Sequence, residues 1–345
     1  MKKLFNITLL ALLLVVTSCN HKDLCYHHRE HAHKFHVEVM ADYRCDWEEC
    51  HGYTDWSAFW PDSYIDYESL RPQEPKGLRV INYNEKSESN THNIGANGGV
   101  VTLYEGPNDI LFYNNDTEYI LFQNLQDGNA ATIRATTRTR TRATYKGSEY
   151  TDKDEPTMTP PDMLYANYVQ DYVPEKSIDP VPFPITLHPL VYTYKIRYEF
   201  VEENNGLQYV TSADGALSGM AKSVLMYTGE TSDEGSTLLY SDCEITEWGV
   251  RAIVKSFGVP SFHRDNYVVR SDNPKNGLNL EVTLRNGNVV NFNFDVTEQV
   301  QNQPHGGVIV VTGIQIDEKD GTQGTGAFDV DVNGWEDTEN IELPL

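Results

Sequence analysis

From residue 35 onward the chain is a succession of short runs rich in Val, Ile, Tyr and Phe, cut by Gly, Asn and Pro. That punctuation constrains the fold more than any other feature. Strand-like runs occupy residues 35–40, 78–83, 99–104, 109–113 and 119–122, separated by Asn97-Gly98-Gly99, Gly106-Pro107-Asn108 and Asn114-Asn115-Asp116. Further runs follow at 191–200, 221–227, 237–245, 250–257, 278–284, 289–296, 308–316 and 327–332, and Asn286-Gly287-Asn288 marks a hairpin between two of them. Strands recurring about every 8–12 residues specify a sandwich or barrel and not a βαβ fold. No helical pattern is sustained for ten residues beyond the N-terminal segment, so the expected class is all-β.

Length and proline placement suggest two modules. A chain of 345 residues exceeds what one hydrophobic core usually serves. Residues 151–184 hold Pro156, Pro160, Pro161, Pro174, Pro180, Pro182 and Pro184, which cannot all sit inside strands, and this stretch is read as an extended linker. It would separate an N-terminal β-sandwich domain at 34–150 from a C-terminal one at 185–345. Just before it, Arg138, Arg140 and Arg142 alternate with Thr137, Thr139 and Thr141, which would put the arginines on one face of an edge strand and block unwanted pairing.

The N-terminus decides where these modules reside. Lys2 and Lys3 precede an apolar run at 7–16, closed by Val16-Thr17-Ser18-Cys19. The run falls short of the roughly 20 apolar residues a membrane-crossing helix needs. Similarity to the lipobox pattern makes residues 1–18 a lipoprotein signal peptide and Cys19 the lipidation site, its thiol carrying acyl chains such as palmitate. Each buried CH₂ adds about 0.8 kcal/mol, so several chains anchor stably. Residues 19–33 then form a tether to the outer membrane, with the protein on the cell surface. Net charge is −24, from 27 Lys+Arg against 51 Asp+Glu, which repels phosphate backbones and excludes nucleic acid as a partner.

Beyond Cys19 the cysteines are Cys25, Cys45, Cys50 and Cys243, and outside the cytoplasm an even number permits disulfides in three connectivities. Cys45 and Cys50 are the nearest candidates for a pair, although the intervening residues could hold them apart. Cys25 lies among His27, His28, His31, His33 and His36, ligand types that suit zinc. Their spacing matches no closed four-ligand set, which favours a polar tether, with no metal and no cofactor. Trp47, Trp56 and Trp60 belong to a dense aromatic stretch with Tyr53, Phe59, Tyr64 and Tyr67. Such rings either form a platform for polysaccharide or plug the core beneath a long loop.

Several elements together resemble a known family. Gly215-Ala216-Leu217-Ser218-Gly219-Met220-Ala221, Phe294-Asp295-Val296-Thr297 and Phe328-Asp329-Val330-Asp331-Val332 with Trp335 resemble fimbrillin-like lipoproteins, a group that includes type V pilus subunits and their anchor proteins. Gly98-Gly99-Val100-Val101-Thr102-Leu103 and Tyr113-Asn114-Asn115-Asp116-Thr117 are similar to the corresponding elements of the anchor type. The resemblance implies two tandem transthyretin-like antiparallel β-sandwich domains. It also implies subunits that join when a strand of one chain completes an open sheet in the next, by main-chain hydrogen bonding. A lipid retained at Cys19 without an obvious maturation site points to an anchor or accessory subunit whose partners are fimbrial or pilus subunits.

An enzyme would need converging acid, base or nucleophile, yet there is no G-x-S-x-G elbow, no H-E-x-x-H, no phosphate loop and no dinucleotide fingerprint. The expected function is therefore non-enzymatic, through sheet edges or, alternatively, through glycan binding by Trp47, Trp56 and Trp60. Replacing Cys19 by Ser is expected to move the protein from the detergent-extracted membrane fraction into the soluble one. Undiminished membrane retention in a fractionation experiment would remove the lipid anchor.

Overall fold

The computed structural model describes residues 35–43, 73–86, 88–126, 128–129, 131–151, 154–203, 205–262, 275–304 and 306–322. The strands, in chain order, begin with β1 (His36–Tyr43), β2 (Gly77–Asn84), β3 (Ser89–Gly95), β4 (Gly98–Thr102), β5 (Asn108–Asn114), β6 (Ile120–Gln123) and β7 (Arg134–Thr137). Next come β8 (Thr157–Met158), β9 (Tyr165–Tyr172), β10 (Val181–Pro189), β11 (Tyr192–Phe200), β12 (Val210–Ala221), β13 (Ser223–Leu225) and β14 (Gly235–Tyr240). The last are β15 (Glu244–Thr246), β16 (Gly249–Ser256), β17 (Gly277–Leu284), β18 (Val289–Asp295) and β19 (Gly307–Ile314), with two five-residue helices, α1 (Thr297–Gln301) and α2 (Glu318–Thr322). The chain is all-β, as the strand and turn pattern requires.

The first half closes on itself. Seven strands run in the order β1, β10, β9, β5, β2, β3, β4, and β1 completes the ring by pairing parallel with β10 and antiparallel with β4. Strand alternation sends Val37, Val39, Leu78, Val80, Ile110 and Phe112 to the barrel interior. The intervening Ile81, Tyr83, Leu111 and Tyr113 point outward into a second core, shared with Ile133 just before β7, with Ala135 of β7 and with Val224 of β13. Strands β2 and β5 are thus covered on both faces, and for that reason β5 carries the unbroken apolar run Ile110-Leu111-Phe112-Tyr113. Gly98 permits the β1–β4 contact: its φ is +118°, and a Cβ there would lie 1.8 Å from the Val39 carbonyl oxygen.

The second half is a two-sheet sandwich. A four-stranded sheet ordered β15, β16, β11, β19 faces a five-stranded sheet ordered β18, β17, β12, β14, β8. Between them lie Tyr194, Ile196, Tyr198, Leu217, Leu238, Val250, Val254 and Leu280, all buried. The hairpin expected at 286–288 joins β17 to β18, with Gly287 at φ +84° and its N–H bonded to the Leu284 carbonyl.

Two expectations need correction. Residues 151–184 are not an extended linker. They contain β8, which pairs parallel with β14 in the sandwich, and β9, which pairs with β5 in the barrel, and β10 begins there too. Pro182 and Pro184 fit inside β10 because β9 meets β10 only at His188 and Pro189, so the earlier residues need donate no hydrogen bond on that side. Nor are the sheets purely antiparallel: β1–β10, β8–β14 and β11–β19 are parallel pairs, each joining segments far apart in sequence. The run at 327–332 lies outside the described residues.

Gly98→Ala should lower the thermal midpoint by several degrees, through a loss of about 2–3 kcal/mol. Gly95→Ala, whose Cβ would meet only the Gly98 oxygen at 3.5 Å, should change little. Equal melting of the two variants would refute the crowding assigned to Gly98.

Candidate docking site at an open sheet edge

Strands β11 and β16 pair antiparallel, with Thr193 opposite Lys255, Lys195 opposite Ile253 and Arg197 opposite Arg251. Their even-numbered residues Tyr194, Ile196, Tyr198, Val250 and Val254 face the core. Their odd-numbered residues therefore form one outer face carrying Lys195, Arg197, Arg251, Ile253 and Lys255. Ile253 is 64% exposed, the most exposed of the chain's described large hydrophobic residues.

Like charges directly opposite one another destabilise a sheet. Arg197 and Arg251 are tolerated because each has its own carboxylate. Arg251 makes a two-pronged pair with Glu244, at 2.6 and 2.8 Å, and Arg197 donates to Glu199. The Arg197 guanidinium also stacks over the Trp248 ring at 3.8 Å from its centroid.

Beside this face runs a groove made of two adjoining cavities of about 470 and 590 Å³, both lined by Tyr240, Ser241 and Ile253. The far wall of the second cavity includes Pro160, Pro161 and Asp162. Along the near wall, β15 covers only Gly249, Val250 and Arg251 of β16. Among the described residues no strand pairs with the outer side of β16 from Ala252 to Ser256.

Two other borders of the sandwich are covered by side chains, the end of β14 beyond β8 and the outer side of β19. Along β14, Arg140 donates to the Leu239 carbonyl at 3.0 Å and to Ser241 Oγ at 2.8 Å, while Arg142 reaches the Tyr240 and Gly215 carbonyls at 3.1 and 3.2 Å. The arginine run thus guards an edge, but not as a strand face: β7 stops at Thr137, and beyond it Thr139 forms a lone bridge to Met158. Along β19, the Gln303 amide accepts from Val308 N–H at 2.7 Å and donates to the Val308 carbonyl at 2.8 Å. Gln299 treats Val310 in the same way, at 2.8 and 2.9 Å. Two glutamine amides therefore stand in for a neighbouring strand.

Beneath the groove the polar groups are locked. Tyr198 Oη and Tyr240 Oη are 2.5 Å apart, Tyr198 donates to the Asn279 carbonyl, and burial pushes both phenols well above their usual range. Burial, reinforced by the Asp214 carboxylate, pushes the Cys243 thiol up to about 12. It is a free, buried thiol that stays protonated at neutral pH, so it packs and does not attack. Glu281 accepts from Thr144 Oγ1 at 2.6 Å and lies 3.7 Å from Arg142.

The sites read from sequence fall elsewhere. Cys19, Cys25, the candidate pair Cys45 and Cys50, the histidines at 27, 28, 31 and 33, and Trp47, Trp56 and Trp60 lie outside the described residues, whereas His36 opens β1 with its Nδ1 3.0 Å from Thr102 Oγ1. Among the described residues no group of His, Cys, Asp and Glu is placed to hold a metal ion, and no helix is long and apolar enough to cross a membrane. The cationic face was missed, although the spacing of Lys195 with Arg197 and of Arg251 with Lys255 is the signal that marks it.

A family model described as "Domain of unknown function (DUF5119)" matches residues 62–241. A curated relative named "Putative fimbrium anchoring subunit Fim4B", from Bacteroides ovatus, is 23% identical over 315 residues, covering 82% of this chain and 89% of that one. A crystal structure described as a "putative adhesin" from Bacteroides ovatus matches with a TM-score of 0.55 and 18% identity, over 85% of this chain and 93% of the other. The fimbrial anchor protein Mfa2 of Porphyromonas gingivalis aligns at a TM-score of 0.40 and 12% identity, over 80% and 90%. The adhesin shows that this fold recurs, and the resemblance to fimbrial proteins has a counterpart in the name of the curated relative.

Replacing Gln299 and Gln303 together by Ala removes the cover from β19. The variant should lose about 2–4 kcal/mol and self-associate in sedimentation velocity. A stable monomer with unchanged unfolding would show that the amides seal nothing.

Proposed function

The chain belongs to the family described as "Domain of unknown function (DUF5119)", and from that premise we propose that it is a non-enzymatic cell-surface lipoprotein, an anchor or accessory subunit of a fimbria that engages its neighbours through sheet edges. One observation carries the reading. The sandwich covers the end of β14 with arginines and β19 with glutamines, yet among the described residues no strand pairs with the outer side of Ala252–Ser256 of β16 beside a groove. Open edges template pairing, so an open stretch of strand beside a groove offers a partner strand a place to add.

The fimbrial name of the Bacteroides ovatus relative supports this reading. In it, Cys19 carries the acyl chains, residues 19–33 span from the outer membrane, and the two β modules are of the transthyretin-like kind. The glycan alternative turns on Trp47, Trp56 and Trp60. It gains nothing from Trp248, whose ring is occupied by Arg197.

A photo-crosslinking residue placed at Ile253 in living cells should capture a fimbrial subunit, identified by mass spectrometry, whereas one placed at Val289 on β18 should not. Deleting the gene should shorten fibres or detach them. Unaltered fibres with no adduct at position 253 would reject the anchoring role.

A further inference from the structure

We propose that the barrel end at which the chain enters rests on a lipid surface, with Val173 and Ile178 of the β9–β10 loop as its apolar contacts, a refinement that rests on the lipid anchor at Cys19 given above. Topology gathers one set of loops at that end. There β1 starts with His36 opposite Thr102, and Val37 stands opposite Val181 at the start of β10. Asn108 of β5 lies opposite both Asn84 and Tyr172, which brings the β2–β3, β4–β5 and β9–β10 loops alongside. Phe35 is fixed here too, its carbonyl accepting from Leu103 N–H at 2.8 Å. At the other end β10 finishes at Pro189, and the chain goes on to β11 of the sandwich at Tyr192.

Exposure singles out the β9–β10 loop, residues 173–180. Val173 is 60% and Ile178 55% exposed, and among the described large hydrophobic residues only Ile253 exceeds them. Apolar side chains scattered singly need no function, but two in one loop, at the end where the anchored segment arrives, form a patch. The loop is not slack at its base: Pro174 is buried, and the Tyr172 and Phe183 rings stand with centroids 4.5 Å apart. Around the patch the rim is acidic, with Glu85, Glu88, Glu105 and Glu175 exposed against Lys86 and Lys176. Anionic headgroups are therefore disfavoured, and the contact is apolar, with neutral lipid. Two aliphatic side chains hold a bilayer weakly by themselves, so proximity decides the outcome. Even an unstructured chain of about 16 residues, the spacing from Cys19 to Phe35, averages only about 22 Å end to end, which keeps the loop at high effective concentration beside a membrane that holds Cys19. Seating the loop would fix the barrel against the membrane and carry the exit towards the sandwich away from it.

The test uses the full chain, purified from its cells in detergent and reconstituted in phosphatidylcholine vesicles, with a photo-crosslinking residue at Ile178 or, as control, at Val289 on β18. Phospholipid adducts, read by mass spectrometry, should form at 178 with about ten times the yield at 289, because tethering favours the surface that holds an apolar contact. Val173→Asp should bring the yield at 178 down towards that at 289, while the lipid at Cys19 keeps the variant on the vesicles. Val173 is well exposed, so the variant should melt like the parent. Equal yields at the two positions, on vesicles that retain the chain, would overturn the seated loop and leave the anchor intact. A chain that separates from the vesicles on flotation would remove the anchor and the contact together. In living cells the residue at 178 should again capture lipid, and a protein adduct in its place would reassign the loop to a protein partner.

Discussion

A strand at the border of a sheet exposes a row of main-chain N–H and C=O groups, and the organisation of this protein follows from how each row is satisfied. In the first half the sheet meets itself, because β1 pairs on both sides and leaves no border. In the second half closure is partial, and side chains extend it. Arg140 and Arg142 cover carbonyls of β14, and the Gln299 and Gln303 amides each give and take one hydrogen bond from β19. These side-chain seals cost conformational entropy and specify where pairing is refused. The contrast sets apart Ala252–Ser256 of β16, whose outer side pairs with no strand among the described residues.

The two halves are bound more closely than a tether would allow. A shared core packs Ile81, Tyr83, Leu111 and Tyr113 of the barrel against Ile133, Ala135, Val224 and Phe257. The chain also leaves the barrel, contributes β8 to the sandwich, and returns to lay down β9 and β10. Arg142 reinforces the crossing by reaching carbonyls of both β12 and β14 and by approaching Glu281. A pull on the sandwich edge would thus reach the barrel through packed side chains and main-chain ladders.

Most strands were legible because alternation and turn residues are local. The runs at 78–83, 109–113, 250–257, 278–284 and 289–296 fall on β2, β5, β16, β17 and β18, and Asn286-Gly287-Asn288 falls on the hairpin between the last two. The misses share a cause. Ser-Asn-Thr-His-Asn-Ile-Gly of β3 and the proline-bearing β10 have little strand propensity, and partners distant in sequence hold them extended. The first part of β12 escaped for the same reason, being pinned between β14 and β17. The cationic face escaped because Lys195 and Arg197 look like ordinary solvent positions until the register sets them opposite Ile253 and Arg251.

What the sequence determined by itself was the class of fold and the wording of its turns, since period-two alternation, glycine at positive φ and proline's missing donor act within a few residues. It also determined the strongly acidic character against which any basic patch stands out. Tertiary structure alone decided that the barrel closes, that prolines of the 151–184 stretch sit in strands, and which sheet borders are sealed. Those outcomes depend on pairing between segments far apart in the chain, as when Val37 meets Val181 or Gln303 meets the border of β19. Spacing along a sequence carries no record of which distant backbone a strand will find.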